Sequence, residues 1–233
     1  SEEVGTATSP LNLLLTDADK LDPGGAPTGL GVAVALSGDA TVGALPVPDR
    51  VLVGAPPPFG GVNPGDAFVF GHDASGWSPE DPLNVVGGLA TDAFGGAVAL
   101  SGDTAIVGAA GDGVSGSSGA AHVFVREGGT WSLQQTLTAS MAEPAEPAEA
   151  KELFGGAVAL WGDMAFVAAR SRDHSASIDD SGAVFVFVRS AGVWDWKSAY
   201  EAREVATVLF LRKYGPAPSR KAVSTPAPLT QPA

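Results

Sequence analysis

FGGAVALSGDTAIVGAA, residues 94–110, is the stretch that decides how this chain folds. It opens on a phenylalanine, continues in glycine and alanine, passes through Ser-Gly-Asp and ends in a short apolar run. Nearly the same string returns as FGGAVALWGDMAFVAAR, residues 154–170. A weaker copy lies upstream as LGVAVALSGDA, residues 30–40, followed by VLVGAP at 51–56. Phe94 and Phe154 are 60 residues apart, and Leu30 and Phe94 are 64 apart. A fixed period of this length marks a repeat architecture.

Each repeat divides into four strand-like pieces. The first is GGAVAL at 95–100, with counterparts at 155–160 and 31–36. A Ser-Gly-Asp or Trp-Gly-Asp triplet comes next, where glycine permits positive φ and aspartate bonds its own backbone, as a tight hairpin requires. The second piece is TAIVGA (104–109), matched at 164–169 and 51–56. The third is HVFVRE (122–127), matched at 185–190 and 68–73. The fourth begins at a tryptophan: Trp77, Trp131 and Trp194 each lie seven residues after Phe70, Phe124 and Phe187. In the second repeat Trp131, Leu133 and Leu137 alternate with Ser132, Gln134 and Thr136, which predicts one apolar strand face. Pro79 and Pro82 weaken the equivalent strand of the first repeat.

Four short antiparallel strands per repeat is the pattern of a propeller blade. The fold expected is therefore all-β: a β-propeller-like array of three to four four-stranded antiparallel blades, in an incomplete ring. The small residues Gly95, Gly96, Ala97 and Ala99 suit strands crowded near an axis, and Phe94 and Leu100 supply bulk between blades. The expected divisions are 1–29 (end of a preceding blade and linker), 30–92, 93–153 and 154–211 (three blades), and 212–233 (a Pro-rich disordered tail). Within the third division EVATVLFL, residues 204–211, reads as a terminal strand or short helix. Residues 141–153, rich in Ala, Pro and Glu, read as a solvated insertion between blades.

The 233 residues are 45% hydrophobic, enough to fill a core, and carry a net charge of −13. Such a surface repels phosphates and anionic lipid, so neither nucleic acid nor membrane insertion is expected. The chain has no cysteine, which removes disulfides and thiolate chemistry. No apolar run reaches the roughly 18 residues of a membrane span. No secretory leader is read at Ser1.

The repeated FGGAVALSGDTAIVGA, the VGAP at 53–56 and the SGA…FVF at 181–187 resemble the FG-GAP repeat, the blade of the integrin α-chain propeller. The resemblance spans roughly residues 28–200. It implies an extracellular or cell-surface, non-catalytic recognition propeller, often with calcium in the loops between second and third strands. Calcium needs six to eight oxygen ligands. The first such loop, PPFGGVNPG (57–65), has no carboxylate, and the second, GDGVSGSSG (111–119), has only Asp112. The third, DHSASIDDSG (173–182), places Asp173, Ser175, Ser177 and Asp179 at alternate positions, with Ile178 where the family has glycine. These four are the candidate metal ligands.

No other constellation points to chemistry. His72, His122 and His174 do not form a metal-type pair. The Ser-Gly-Asp triplets recur at every hairpin, which is structural behaviour, and no nucleophile elbow is present. The recurrent tryptophans read as core. The expected function is a recognition or adhesion module that binds protein or glycan through its loops, with calcium as the one cofactor to test. The alternative is an accessory propeller of a larger secreted enzyme whose catalytic part lies elsewhere. In either case the open edge of the array is expected to pair with the rest of a parent chain. The insertions at 40–50, 141–153 and 170–181 are the first loops to examine for contacts.

Overall fold

The computed structural model describes residues 21–201, apart from residue 22 and the segments 25–28, 39–40, 43–44, 47–48, 59–62, 74–75, 86–91, 112–117, 143–151 and 172–181. The four candidate calcium ligands lie outside the described residues, as do the segment 204–211 and the tail from 212.

The described residues form three four-stranded antiparallel sheets, not closed into a ring. Blade 1 holds β1 (Ala33–Ser37), β4 (Arg50–Ala55), β5 (Asp66–Asp73) and β6 (Gly76–Pro79), in that order across the sheet. The short β2 (Thr41–Val42) and β3 (Leu45–Pro46) pair with each other within the connection from β1 to β4. Blade 2 holds β7 (Phe94–Ser101), β8 (Thr104–Ala109), β9 (Ala120–Glu127) and β10 (Thr130–Leu137). One turn of helix, α1 (Ala139–Ala142), comes after it. Blade 3 holds β11 (Phe154–Trp161), β12 (Met164–Ala169), β13 (Ala183–Ser190) and β14 (Val193–Glu201). Each sheet is a meander, so the four pieces read from each repeat pair in sequence order.

The Phe-Gly-Gly opening is a turn as well as a strand start. The Gly96 N–H donates to the Ala93 carbonyl at 3.1 Å, and Gly95, third in that turn, has φ 89°. A type II turn demands that φ, which favours glycine. The pairing of β7 with β8 jumps there from Phe94 opposite Ala109 to Ala97 opposite Gly108. Blade 3 repeats the device at Leu153–Gly156, with the same jump between Phe154 and Ala157.

That bulge is where neighbouring blades meet. A Cβ on Gly54 of blade 1 would overlap the Gly95 carbonyl of blade 2, and one on Gly108 would overlap the Gly155 carbonyl of blade 3. A Cβ on Gly95 would in turn overlap the Asp66 carbonyl of blade 1, so the close approach expected of Gly95 is seen between blades, while Gly96 meets only the Ala93 carbonyl of its own turn.

Each junction has its own core. Between blades 1 and 2, Leu52, Ala67, Val69 and Leu83 pack against Phe94, Leu100, Val107, Phe124 and Trp131. Between blades 2 and 3, Ile106, Ala121, Val123 and Leu137 pack against Phe154, Val167, Phe185, Phe187 and Trp194. Blade 2 therefore has one face turned to blade 1, carrying its Phe and Trp positions, and the other turned to blade 3. Burying such side chains stabilises by about 1.5–3 kcal/mol each.

One expectation fails in β10. Its pairing with β9 slips between Leu133 and Gln135. The extra residue reverses the facing of the second half of the strand. Trp131 joins the junction with blade 1, Leu137 joins the junction with blade 3, and Leu133 is exposed. The alternation of Trp131, Leu133 and Leu137 in sequence, interrupted at Gln135, does not give one apolar face.

Candidate functional site

Strand direction sorts the loops onto two ends of the array. One end carries the tight hairpins: Gly102-Asp103 and Gly162-Asp163 join first to second strands, and Gly128-Gly129 and Ala191-Gly192 join third to fourth. The other end carries the loops from second to third strand (56–65, 110–119 and 170–182) and the connections between blades (84–93 and 138–153). The insertion at 40–50 spans β1 to β4 and so belongs to the hairpin end. It is separated from the other two insertions, at 141–153 and 170–181, which share the loop end.

The loop end is a hydrogen-bonded frame. The Phe94 N–H donates to the Pro64 carbonyl, and the Phe154 N–H to the Ser118 carbonyl, each at 2.9 Å. These bonds tie the loop of one blade to the first strand of the next. The Gly111 N–H donates to the Asp92 carbonyl at 2.9 Å, and the Ser171 N–H to the Glu152 carbonyl at 3.1 Å. These tie each loop to the connection entering its own blade. The roots of the loops are therefore fixed by backbone, whatever side chains the loops carry. The side chain of Glu152 is buried on this frame.

The hairpin end is held by side chains. The Ser37 hydroxyl accepts from the Gly102 N–H at 2.7 Å, and the Ser101 hydroxyl accepts from the Gly162 N–H at 3.2 Å, so each hairpin is clasped to the next. Glu80 of blade 1 accepts from the Arg126 guanidinium at 3.0 Å and from the Trp131 indole at 2.6 Å, both in blade 2. Arg50 donates to the other oxygen of Glu80 at 3.3 Å and lies 3.5 Å from Asp103 across the junction. The blade 2–3 junction keeps an arginine but puts neutral amides where Glu80 stands. The Trp194 indole donates to Gln134 at 2.8 Å, and the Gln135 amide exchanges two bonds with the Trp194 backbone at 2.8 and 2.9 Å. Arg189 donates to the Thr104 hydroxyl at 3.0 Å and to Asp163 at 2.7 Å, with its guanidinium 5.2 Å from the Trp194 ring centre.

The histidines take the character of their places in the blades. His122 is buried, shares a hydrogen bond with Thr136 at 3.0 Å and packs 5.6 Å from the Phe94 ring. Burial holds its pKa below the usual value, against an opposing pull from Asp92. His72 stacks edge-on against Trp77 at 4.8 Å. His174 lies outside the described residues.

Sequence reasoning placed Ser37 and Ser101 in hairpin turns and Gln134 on a polar strand face without reading them as clasps, and passed over Glu80, Arg126 and Arg189. One signal for them was present: Arg126 and Arg189 both stand two residues after the third-strand phenylalanine, Phe124 or Phe187. Among the described residues no group of three or more His, Asp or Glu side chains is placed to hold a metal ion. Among them, too, no helix is long and apolar enough to cross a membrane.

An open array of four-stranded blades, glycine-docked at each junction, is the class this architecture defines. Residues 77–124 match the FG-GAP repeat model. The matched stretch runs from Trp77 of blade 1 to Phe124 of blade 2, so it contains the Phe94-Gly95-Gly96 turn of the blade 1–2 junction. No curated protein matches the chain in sequence. Among solved structures, the periplasmic gluconolactonase PpgL of Pseudomonas aeruginosa is similar over 75% of this chain, at 13% identity and a TM-score of 0.32. The chain spans 57% of the length of that structure, and no activity is carried across from it.

Proposed function

We propose that this chain is a non-catalytic recognition module whose contact surface is the loop end of the blade array. One observation carries this reading: the second-to-third-strand loops are rooted in a continuous backbone frame formed by Pro64, Phe94, Asp92, Gly111, Ser118, Phe154, Glu152 and Ser171. A rigid scaffold with its variable segments gathered at one end is how loop-based binding is built. The insertions at 141–153 and 170–181 both belong to that end, whereas 40–50 does not. Arg50, Glu80, Asp103, Arg126 and Arg189, toward the opposite end, are engaged in clasping blades together, which supports a structural role for them. The FG-GAP match supports an extracellular or cell-surface location, and the partners proposed are protein or glycan. Calcium at Asp173, Ser175, Ser177 and Asp179 belongs to the same proposal, as an ion that would order the third loop.

The test replaces residues 172–181 with a short Gly-Ser linker and compares both proteins on panels of glycans and extracellular proteins. Loss of a binding partner at an unchanged unfolding midpoint is the expected outcome. Retention of every partner would move the contact surface elsewhere. Calcium is tested by thermal unfolding in calcium and in chelator. A midpoint raised by calcium in the natural chain, and unmoved in Asp173→Ala, is expected, because a ligand of the folded form alone stabilises that form. Equal midpoints in the natural chain would remove calcium from the account.

A further inference from the structure

We propose that the array has a direction: blade 1 presents a face built to receive a further blade of the same type, and blade 3 presents a face that refuses one. This goes beyond the recognition role and does not depend on what the loops bind.

The two junctions define what a docked pair of blades requires. From the earlier blade come a hairpin serine, a polar residue opening the second strand, a glycine near that strand's end, a small residue on the third strand and a carbonyl acceptor at the fourth. In blade 1 these are Ser37, Arg50, Gly54, Ala67 and Glu80; in blade 2 they are Ser101, Thr104, Gly108, Ala121 and Gln134. Pairing register places Trp161, Met164, Ala168, Val184 and Lys197 at the equivalent positions of blade 3.

Three of those five changes remove a polar docking contact, and two add bulk where the blades meet. The serine acceptor becomes a tryptophan that is 76% exposed. Methionine cannot bond the next blade's arginine or aspartate. Alanine places a Cβ where Gly54 and Gly108 meet a carbonyl oxygen. Valine adds bulk where Ala67 and Ala121 are fully buried. Lysine is a donor only, so it cannot accept from an incoming indole N–H.

The opposite face of blade 1 keeps the receiving set. Gly31 has φ 91°, close to the 89° and 90° of Gly95 and Gly155. Phe70 and Trp77 hold the places of Phe124 and Trp131. Val34 and Leu36 on β1, and Leu30 and Val32 just before it, are exposed, Val32 at 62% and Leu36 at 60%. In blades 2 and 3 the residues at the Leu30 position, Phe94 and Phe154, are covered by the preceding blade. Leu21 already packs on this face, against Val51, Val53 and Phe70. The occupant that fits is the outward face of an FG-GAP-type blade, not the blade 3 of a second copy.

Sedimentation velocity over a range of concentrations tests both halves. The natural chain is expected to stay monomeric. Restoring the docking set on blade 3 with Trp161→Ser, Met164→Thr, Ala168→Gly, Val184→Ala and Lys197→Gln should let it enter the blade 1 face of another copy. A head-to-tail contact either closes into a ring of copies or grows as an open chain, and in both cases the weight-average mass should rise about two-fold or more with concentration. Adding Val34→Glu and Leu36→Glu should abolish that rise. Trp161→Ser with Ala168→Gly is a milder variant at two partly exposed sites, and should give the same rise at higher concentration. Two results would overturn the proposal. One is a natural chain that associates and is dissolved by the two glutamates, since blade 3 would then accept a blade as it stands. The other is a folded docking variant that stays monomeric, as it would if another segment already covered the blade 1 face.

Discussion

The blade 1–2 junction and the blade 2–3 junction share one geometry and differ in chemistry. Both place a glycine against a bulge carbonyl, a serine against a hairpin N–H and an acceptor against a tryptophan indole. The first satisfies its indole with the Glu80 carboxylate, shared with Arg50 and Arg126, and sets His122 beside Phe94. The second uses the Gln134 amide, and sets Phe185 beside Phe154 at 5.2 Å. Backbone approach fixes where blades sit, while the polar groups at the rim are exchangeable so long as donor meets acceptor. The indole acceptor of the first junction, a shared carboxylate, should therefore respond to salt, and the acceptor of the second, a neutral amide, should not.

The shared element is the place to break both at once. Gly54→Ala and Gly108→Ala each put a methyl group onto a carbonyl oxygen of the next blade. Neither glycine has a positive φ, so the cost is steric. Overpacking of this kind costs about 2–3 kcal/mol. Urea unfolding should show similar losses for the two variants. A loss at one junction only would mean that the two blade pairs are not built alike.

The polar elements should separate the junctions. Glu80→Gln converts the first junction to the chemistry of the second. It keeps an acceptor for Trp131 and removes the charge that Arg50 and Arg126 share. These side chains are only 14–24% exposed, so a loss of about 1 kcal/mol is expected at low salt, shrinking as salt is added. Gln134→Ala at the second junction should cost a similar amount, unchanged by salt, because it removes a neutral hydrogen bond. Equal salt dependence in the two variants would erase the distinction.

The blades were legible in the sequence because their signals are local. Phe-Gly-Gly, Ser-Gly-Asp and the seven-residue step from Phe124 to Trp131 each report on neighbouring residues, and local chemistry dictates each turn. The junction chemistry was not legible, for a physical reason. Glu80 and Arg126 are 46 residues apart, and Thr104 and Arg189 are 85 apart. Different residue types also serve the same place, Glu80 in one blade and Gln134 in the next. The bulge in β10 was marked only by the doubled Gln134-Gln135, since Trp131, Leu133 and Leu137 keep one phase of alternation while the pairing slips beneath them. The placement of 40–50 at the hairpin end depends on strand direction, which no single motif displays.

The smallest effect expected is the pH response of the first junction, and it rests on His122. Burial lowers its pKa in the folded state, so the unfolded chain, with histidine near about 6.5, binds the proton more readily. Above that pH the imidazole is neutral in both states and contributes no slope. As pH falls below it, protonation of the unfolded chain draws the equilibrium away from the fold, until the folded pKa is passed. Each unit of separation corresponds to about 1.4 kcal/mol, and the attraction of Asp92 reduces the separation. Phenylalanine occupies the equivalent position in blade 1, Phe68, and in blade 3, Phe185, so His122→Phe fits the blade pattern. It loses the bond to Thr136 and leaves that hydroxyl partly buried. Melting midpoints from about pH 7.5 to about pH 5.5 should fall for the natural chain and fall less for the variant. Parallel curves would place the acid sensitivity among other groups and leave the two junctions alike in their response to protons.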